Sequence, residues 1–460
     1  MRLLRNFPIH DLQPWVRQLL TVVHLLLIAA LAFRASQREL TLILFLLVGI
    51  ALVLFFLRWP PLGVTVTSIA GMVVPFNGPS GLNVTVILVA LLLVLWLLDM
   101  LVNQHQIRLV ASRTVWPLVS FLVIAFISFG VGQLNWLSFA LHAPLGAQMG
   151  GLLIVVLSVG TFLLMANQVQ DLGWLSRLTW AFLAFATLSV LARSVLPALG
   201  MPRMEFFQPM GSVFYIWLVA MAFSQSAFNQ KLRSGWRLAL GGLVLMTFYV
   251  LFVQKFADKS GWIPALVCIV AMIGLRSWRA GLVIIPVVAI TSWYLTTGMV
   301  SSEEYSFSTR FDAWSIMAQI IKINPILGLG FANYYWYTPL FPIRGYAVSF
   351  NSHNNYVDIV AQTGLVGLVF FFLFLWQVGR LGWRLRELAP PGFAQAYVYG
   401  TLGGLAGMLV AGMFGDWVLP FFYNIGLGGF RSSMLGWLFL GGLVSLEHIV
   451  MPPKLSATKK

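Results

Sequence analysis

Residues 83–101 read NVTVILVALLLVLWLLDML. From Val84 to Leu98 the only polar side chain is Thr85, and the whole stretch 83–101 is about 28 Å long as an α-helix, close to a hydrocarbon core of roughly 30 Å. A strand of that composition would leave unpaired backbone N–H and C=O groups in lipid, so the helix is the only open single-segment solution. Segments of the same kind recur on both sides of it. Fourteen are read: 19–33, 41–57, 62–76, 83–101, 115–130, 150–166, 175–192, 210–228, 237–253, 261–275, 281–297, 355–378, 396–415 and 426–446. Composition agrees, since 60% of the 460 residues are hydrophobic and 9% charged, against about 25% charged in a soluble domain. A soluble enzyme is excluded. The expected fold is an all-α polytopic membrane protein, a bundle of about 12–14 transmembrane helices.

The net charge of +15 does not point to nucleic acid, because the basic residues are scattered between apolar runs and form no stripe or arm. They report orientation instead. With fourteen spans both termini share a side, and that side takes eighteen of the 28 basic residues, among them Arg2, Arg5, Arg17, Arg113, Lys231, Arg380, Arg384, Lys454, Lys459 and Lys460. The positive-inside rule makes that side cytoplasmic. Arg34, Gln37 and Arg38 follow the first span where a cleavage site would show small residues, so this span reads as an anchor. Cys268 is the sole cysteine, which leaves no intramolecular disulfide and no cysteine-based metal site.

One long hydrophilic interruption, 298–354, then lies outside the cell membrane, between a first bundle over 1–297 and a second over 355–460. Its length alone marks it as functional. Within 310–323, Phe311, Trp314, Met317, Ile320 and Ile321 recur at three- and four-residue spacing, which predicts an amphipathic helix lying in the interface. Pro325, Gly328 and Gly330 end it. Tyr334, Tyr335, Trp336, Tyr337 and Tyr346 follow, either as an interfacial belt or as platforms for sugar faces.

Of the six histidines only His142 and His353 fall on the outer side, and His353 stands in Asn351-Ser352-His353-Asn354-Asn355-Tyr356 at the mouth of a span. An imidazole there can take a proton near neutral pH, or it can simply serve a helix start. Arg203, Lys255, Lys259, Arg310, Lys322 and Arg344 are outward cations, which the orientation rule disfavours and an anion such as a diphosphate would require. Little ionises in or beside the apolar runs, where Asp99, Asp416 and Arg431 stand out, too little for a proton or ion relay. No phosphate-binding Gly-x-x-x-x-Gly-Lys loop, paired-histidine motif or acidic cluster is present, so neither ATP hydrolysis nor a catalytic metal or other cofactor is expected.

Four stretches occur in a telling order: Ser308-Thr309-Arg310-Phe311-Asp312-Ala313-Trp314, Asn324-Pro325-Ile326-Leu327-Gly328-Leu329-Gly330, Ser352-His353-Asn354-Asn355 and Gly364-Leu365-Val366-Gly367. Together they resemble the signature of the O-antigen ligase and polymerase superfamily. The resemblance implies a GT-C-like membrane glycosyltransferase whose donor is a glycan on undecaprenyl diphosphate and whose acceptor is a lipid or glycan of the envelope. It implies His353 as the catalytic residue and Arg310, Lys259 and Arg203 as diphosphate ligands, with Asp416, Arg344 and Asn354 in support. Lys259 stands where the family usually has an arginine, keeping the charge and losing the two-pronged fork. A ligase fits the resemblance best. A polymerase extending lipid-linked repeats shares the same donor site, and a glycan flippase is the reading from another class.

Overall fold

In the computed structural model the described residues are 37–255 and 259–451; within them, the side chains of 37–46, 48, 259, 285, 287–289 and 291–307 are outside the description. The first expected span, 19–33, and the terminal residues Arg2, Arg5, Arg17, Lys454, Lys459 and Lys460 fall outside the described residues. Every other expected span coincides with a helix. Seven of the described helices are long and apolar enough to cross a membrane by length and composition. The protein is an all-α polytopic membrane protein.

The chain divides into two compact units, Met1–Trp59 and Pro60–Lys460. The first contributes α1 (Gln37–Arg58). The second contains α2 (Pro60–Val73), α3 (Val84–Leu98), α4 (Val115–Val131), α5 (Leu145–Gln168), α6 (Leu172–Val190), α7 (Ser212–Phe228), α8 (Ser234–Tyr249), α9 (Lys259–Arg276), α10 (Trp278–Ile321), the short α11 (Asn333–Tyr337), α12 (Asn355–Leu388), α13 (Phe393–Phe414) and α14 (Gly426–Val450). Of these, α5, α13 and α14 are largely enclosed by protein, whereas α3, α6 and α8 present most of their surface outward. Close approach, not bulk, holds the centre: a Cβ on Gly441 of α14 would sit 2.5 Å from the Phe162 carbonyl of α5. Small residues at such crossings let helices pack without help from water. Cys268 is buried within α9.

The expected helix break at 298 does not occur. Helix α10 runs unbroken for 44 residues, and the predicted amphipathic helix 310–323 is its last turns, ending at Ile321. Ser301-Ser302-Glu303-Glu304-Tyr305 is polar but holds no Pro or Gly, and polarity alone does not stop a helix. At 1.5 Å per residue the helix is roughly 66 Å long, twice the hydrocarbon thickness, so it projects well beyond it. Its apolar face also packs on protein instead of lying in the interface. Met317 and Ile320 are fully buried with Leu329, Tyr334, Tyr337 and Phe421, while Phe311, the first residue of the predicted stripe, is 61% exposed.

Candidate active site

Helix α12 is two helices joined at Gly364, where φ is +69°. The joint is filled by the turn that follows α10. Leu329 N–H donates to the Ala361 carbonyl (2.9 Å) and Gly330 N–H to that of Gln362 (3.1 Å); Leu365 N–H returns to Pro325 (2.8 Å). The groups freed by breaking a helix are thus paired across to the Pro325–Gly330 turn, which satisfies them in a buried setting. A Cβ at Gly364 would meet the Ile326 carbonyl at 2.0 Å, so no side chain fits there. The spacing of the two glycine motifs is therefore the imprint of one interlock. Asn333 extends it, donating to the carbonyls of Gly132 (2.9 Å) and Leu329 (2.8 Å) and accepting from Ala143 N–H (3.0 Å).

That interlock fixes the start of α12, and with it His353. Asn354 caps the helix, its side-chain oxygen accepting from Tyr356 N–H (2.9 Å) and Val357 N–H (3.3 Å). Asn354 is buried by this role. Asn355 reaches the other way, donating to the Leu419 carbonyl (2.7 Å) and accepting from Val418 N–H (2.8 Å), which ties α12 to the 415–425 loop after α13. Just before the cap, His353 has φ +48°, a left-handed conformation costly for a residue with a Cβ.

Three of the expected site residues meet here. Arg310 donates to the carbonyl of Phe414 at the end of α13 (3.3 Å), where the partial negative charge of a helix C-terminus favours a cation. Asp416, two residues later, is buried, with one oxygen accepting from Phe421 N–H (2.9 Å) and the other from Asn424 (2.7 Å). Burial raises its pKa against the opposing effect of those hydrogen bonds. His353 is open to solvent on one side, yet desolvation by the surrounding protein holds its pKa below the ordinary histidine range; the Arg310 charge pushes the same way and that of Asp416 opposes it. The imidazole is thereby kept neutral near pH 7, the state that accepts a proton.

The remaining expected residues are placed elsewhere. Arg344 occupies a two-residue turn with Gly345, both at positive φ, and its guanidinium bonds Asp312 (2.7 Å) and Ser308 (2.6 Å) on α10. It straps the 338–350 loop to that helix. Arg203 is exposed on the 199–211 loop. Lys259 opens α9; the following residue, Ser260, meets Ser212 at 2.9 Å. Tyr334 and Tyr337 are fully buried, so they are neither sugar platforms nor an interfacial belt. Tyr335 stacks on Tyr423 (4.6 Å between centroids) and Trp336 donates to its hydroxyl (2.8 Å). His142 lies edge-on to Tyr337.

Asp358 is a site-supporting residue that the sequence reading passes over. One turn into α12 it resembles the acidic residue that commonly decorates a helix N-terminus. It is instead buried, accepting on one carboxylate oxygen from Tyr334 (2.6 Å) and Ser352 (2.7 Å), while its other oxygen has no hydrogen-bond partner among the described residues. The signal available was the cost of a carboxylate in an apolar helix. Ser352 in turn accepts from Asn354 N–H (3.0 Å), and its carbonyl accepts from Trp314 of α10 (2.8 Å). The network brackets His353 on both sides in sequence. Replacing Asp358 by alanine is expected to lower turnover by about 10²-fold through misplacement of His353. Asp358→Asn, which keeps an acceptor oxygen, restores most of the rate. Equal loss in both variants would show that charge, and not position, is what Asp358 supplies.

Residues 211–372 match the family model described as O-antigen ligase. Over that segment the chain is similar to the O-antigen ligase family. The matched segment runs from α7 to the middle of α12, and so includes Lys259, Arg310, Arg344, His353, Asn354 and Asp358. Arg203 and Asp416 lie outside it. No curated protein matches the chain.

Proposed function

We infer that the protein is an inverting, metal-independent membrane glycosyltransferase that moves a glycan from an undecaprenyl-diphosphate carrier to an envelope acceptor, as an O-antigen ligase does. The observation carrying this reading is the juxtaposition, within and beside the matched segment, of a neutral imidazole with Arg310 and Asp416. Displacing a diphosphate from an anomeric carbon builds negative charge on the leaving group while the acceptor hydroxyl loses a proton. Arg310 stabilises the first and His353 takes the second. Asp416 stabilises the imidazolium so formed. Lys259 and Arg203 are the further diphosphate ligands that the family resemblance implies.

The reaction belongs, on this reading, at the extracytoplasmic face of the cell (inner) membrane. What supports that side is the gathering of Arg113, Arg380, Arg384 and Arg386 at the end of the second unit opposite His353, as expected for a cytoplasmic face. The test is the size distribution of undecaprenyl-linked glycans in cells lacking the protein. Long lipid-linked chains beside a bare acceptor are the expected result. Accumulation of single repeat units would make the enzyme a polymerase, and an unchanged profile would overturn the reading. Product NMR adds the anomeric configuration, where retention would exclude direct displacement.

A further inference from the structure

A cavity of about 850 Å³ opens at the end of the second unit far from His353, between the start of α4, the C-terminal half of α12, α13 and the end of α14. Arg380 stands about 25 residues beyond Asn355 on α12, roughly 37 Å along the axis at 1.5 Å per residue, so the mouth of the cavity is far from the site above. Its inner end reaches the start of α12, where Phe372 stacks on Tyr356 (5.1 Å between centroids) and the Leu409 carbonyl accepts from the Tyr356 hydroxyl (2.6 Å). Its inner walls are apolar, from Phe372, Leu405 and Leu409. Trp376 and Trp383 flank it on the outer surface of α12, at 64% and 56% exposure. Its rim is basic: Arg113, Arg380 and Arg384.

The rim charges are unequally committed. Glu447 pairs with Arg384 and accepts from Ser112 (2.9 Å), which neutralises one arginine. Arg113 and Arg380 are exposed and, among the described residues, have no ion-pair partner. Two unspent cations at the mouth of an apolar groove, flanked by tryptophans of the kind that sit at the headgroup level, match an amphiphile with an anionic head. A free phosphate would leave the apolar walls uncovered.

We propose that this groove binds an anionic phospholipid, its phosphate held by Arg113 and Arg380 and an acyl chain laid along Phe372, Leu405 and Leu409. Gly379 lines the groove, and a Cβ there would touch only Leu405 at 3.8 Å. A side chain at 379 therefore enters the lipid's space without disturbing the backbone. The lipid bound there wedges α4, α12, α13 and α14 together, its head at the basic mouth and its acyl chain directed toward Tyr356.

The test uses the full chain in detergent, with phosphatidylglycerol, phosphatidylcholine of the same acyl chains, and glycerol phosphate as probes. Native mass spectrometry reads retained lipid, and thermal unfolding reads the stabilisation. Phosphatidylglycerol should be retained roughly ten-fold or more over phosphatidylcholine and raise the melting temperature. The double variant Arg113→Gln/Arg380→Gln should lose that preference, and Gly379→Leu should lose retention of both lipids, each with an unchanged lipid-free melting temperature. Equal retention of the two lipids by the wild type, or an unchanged preference in the double variant, overturns the proposal. Stabilisation by glycerol phosphate equal to that by the lipid also overturns it, in favour of a soluble-anion site.

Discussion

Glycan transfer by His353→Ala falls about 10²–10⁴-fold, the usual contribution of a positioned general base. On the proposed mechanism the loss appears in turnover, because there the imidazole acts on the acceptor proton and not on the diphosphate that anchors the donor. In cells the variant reproduces the lipid-linked glycan profile of the deletion. His353→Gly separates chemistry from architecture: glycine relieves the left-handed backbone at φ +48° and should raise stability by about 1 kcal/mol, while activity stays as low as in the alanine variant. A glycine variant that transfers glycan at the wild-type rate would remove His353 from the mechanism.

Arg310→Gln lowers kcat/KM by about 10²–10³-fold, the scale expected for losing one preorganised donor to developing charge. A second signature follows from the imidazole it faces. The Arg310 charge depresses the His353 pKa, and the acid limb of the rate profile follows the proton that must leave His353 before it can act as a base. With Arg310 gone, imidazolium persists to higher pH, so the acid limb moves up. Burial still holds it below an unperturbed histidine. Arg310→Lys keeps the charge and hence the position of the limb, but loses the fork that engages two phosphate oxygens, so its rate falls between the two. An acid limb that stays fixed in Arg310→Gln would mean that another group limits the rate at low pH.

Much of the architecture was legible because it is a matter of local composition. An apolar run such as 83–101 has one stable form in lipid, and its helix follows without reference to any neighbour. The failures came where neighbours decide. Polar residues at 301–305 looked like a boundary, yet α10 continues through them, since polarity alone does not stop a helix. The stripe from Phe311 to Ile321 looked interfacial because periodicity reports that a face is apolar, not what covers it; the cover is the Leu329–Tyr337 segment with Phe421.

The candidate site divides in the same way. His353, Arg310 and the paired glycine motifs stand out in the sequence because their residue types and order are unusual in an apolar chain. Sequence also supplied Asp416, and the structure gave it a place by folding the 415–425 loop against the start of α12 through Asn355. Asp358 and Tyr334 could not be paired from sequence, being 24 residues apart on different elements, and the Asp312 and Ser308 partners of Arg344 are as far from it along the chain. The sequence by itself determined that this protein is a set of membrane helices with one chemically distinctive segment between them, because solvent preference acts residue by residue. Only the tertiary structure decided which charges meet, which tyrosines are buried and how His353 is held, because those depend on contacts between segments far apart in the chain.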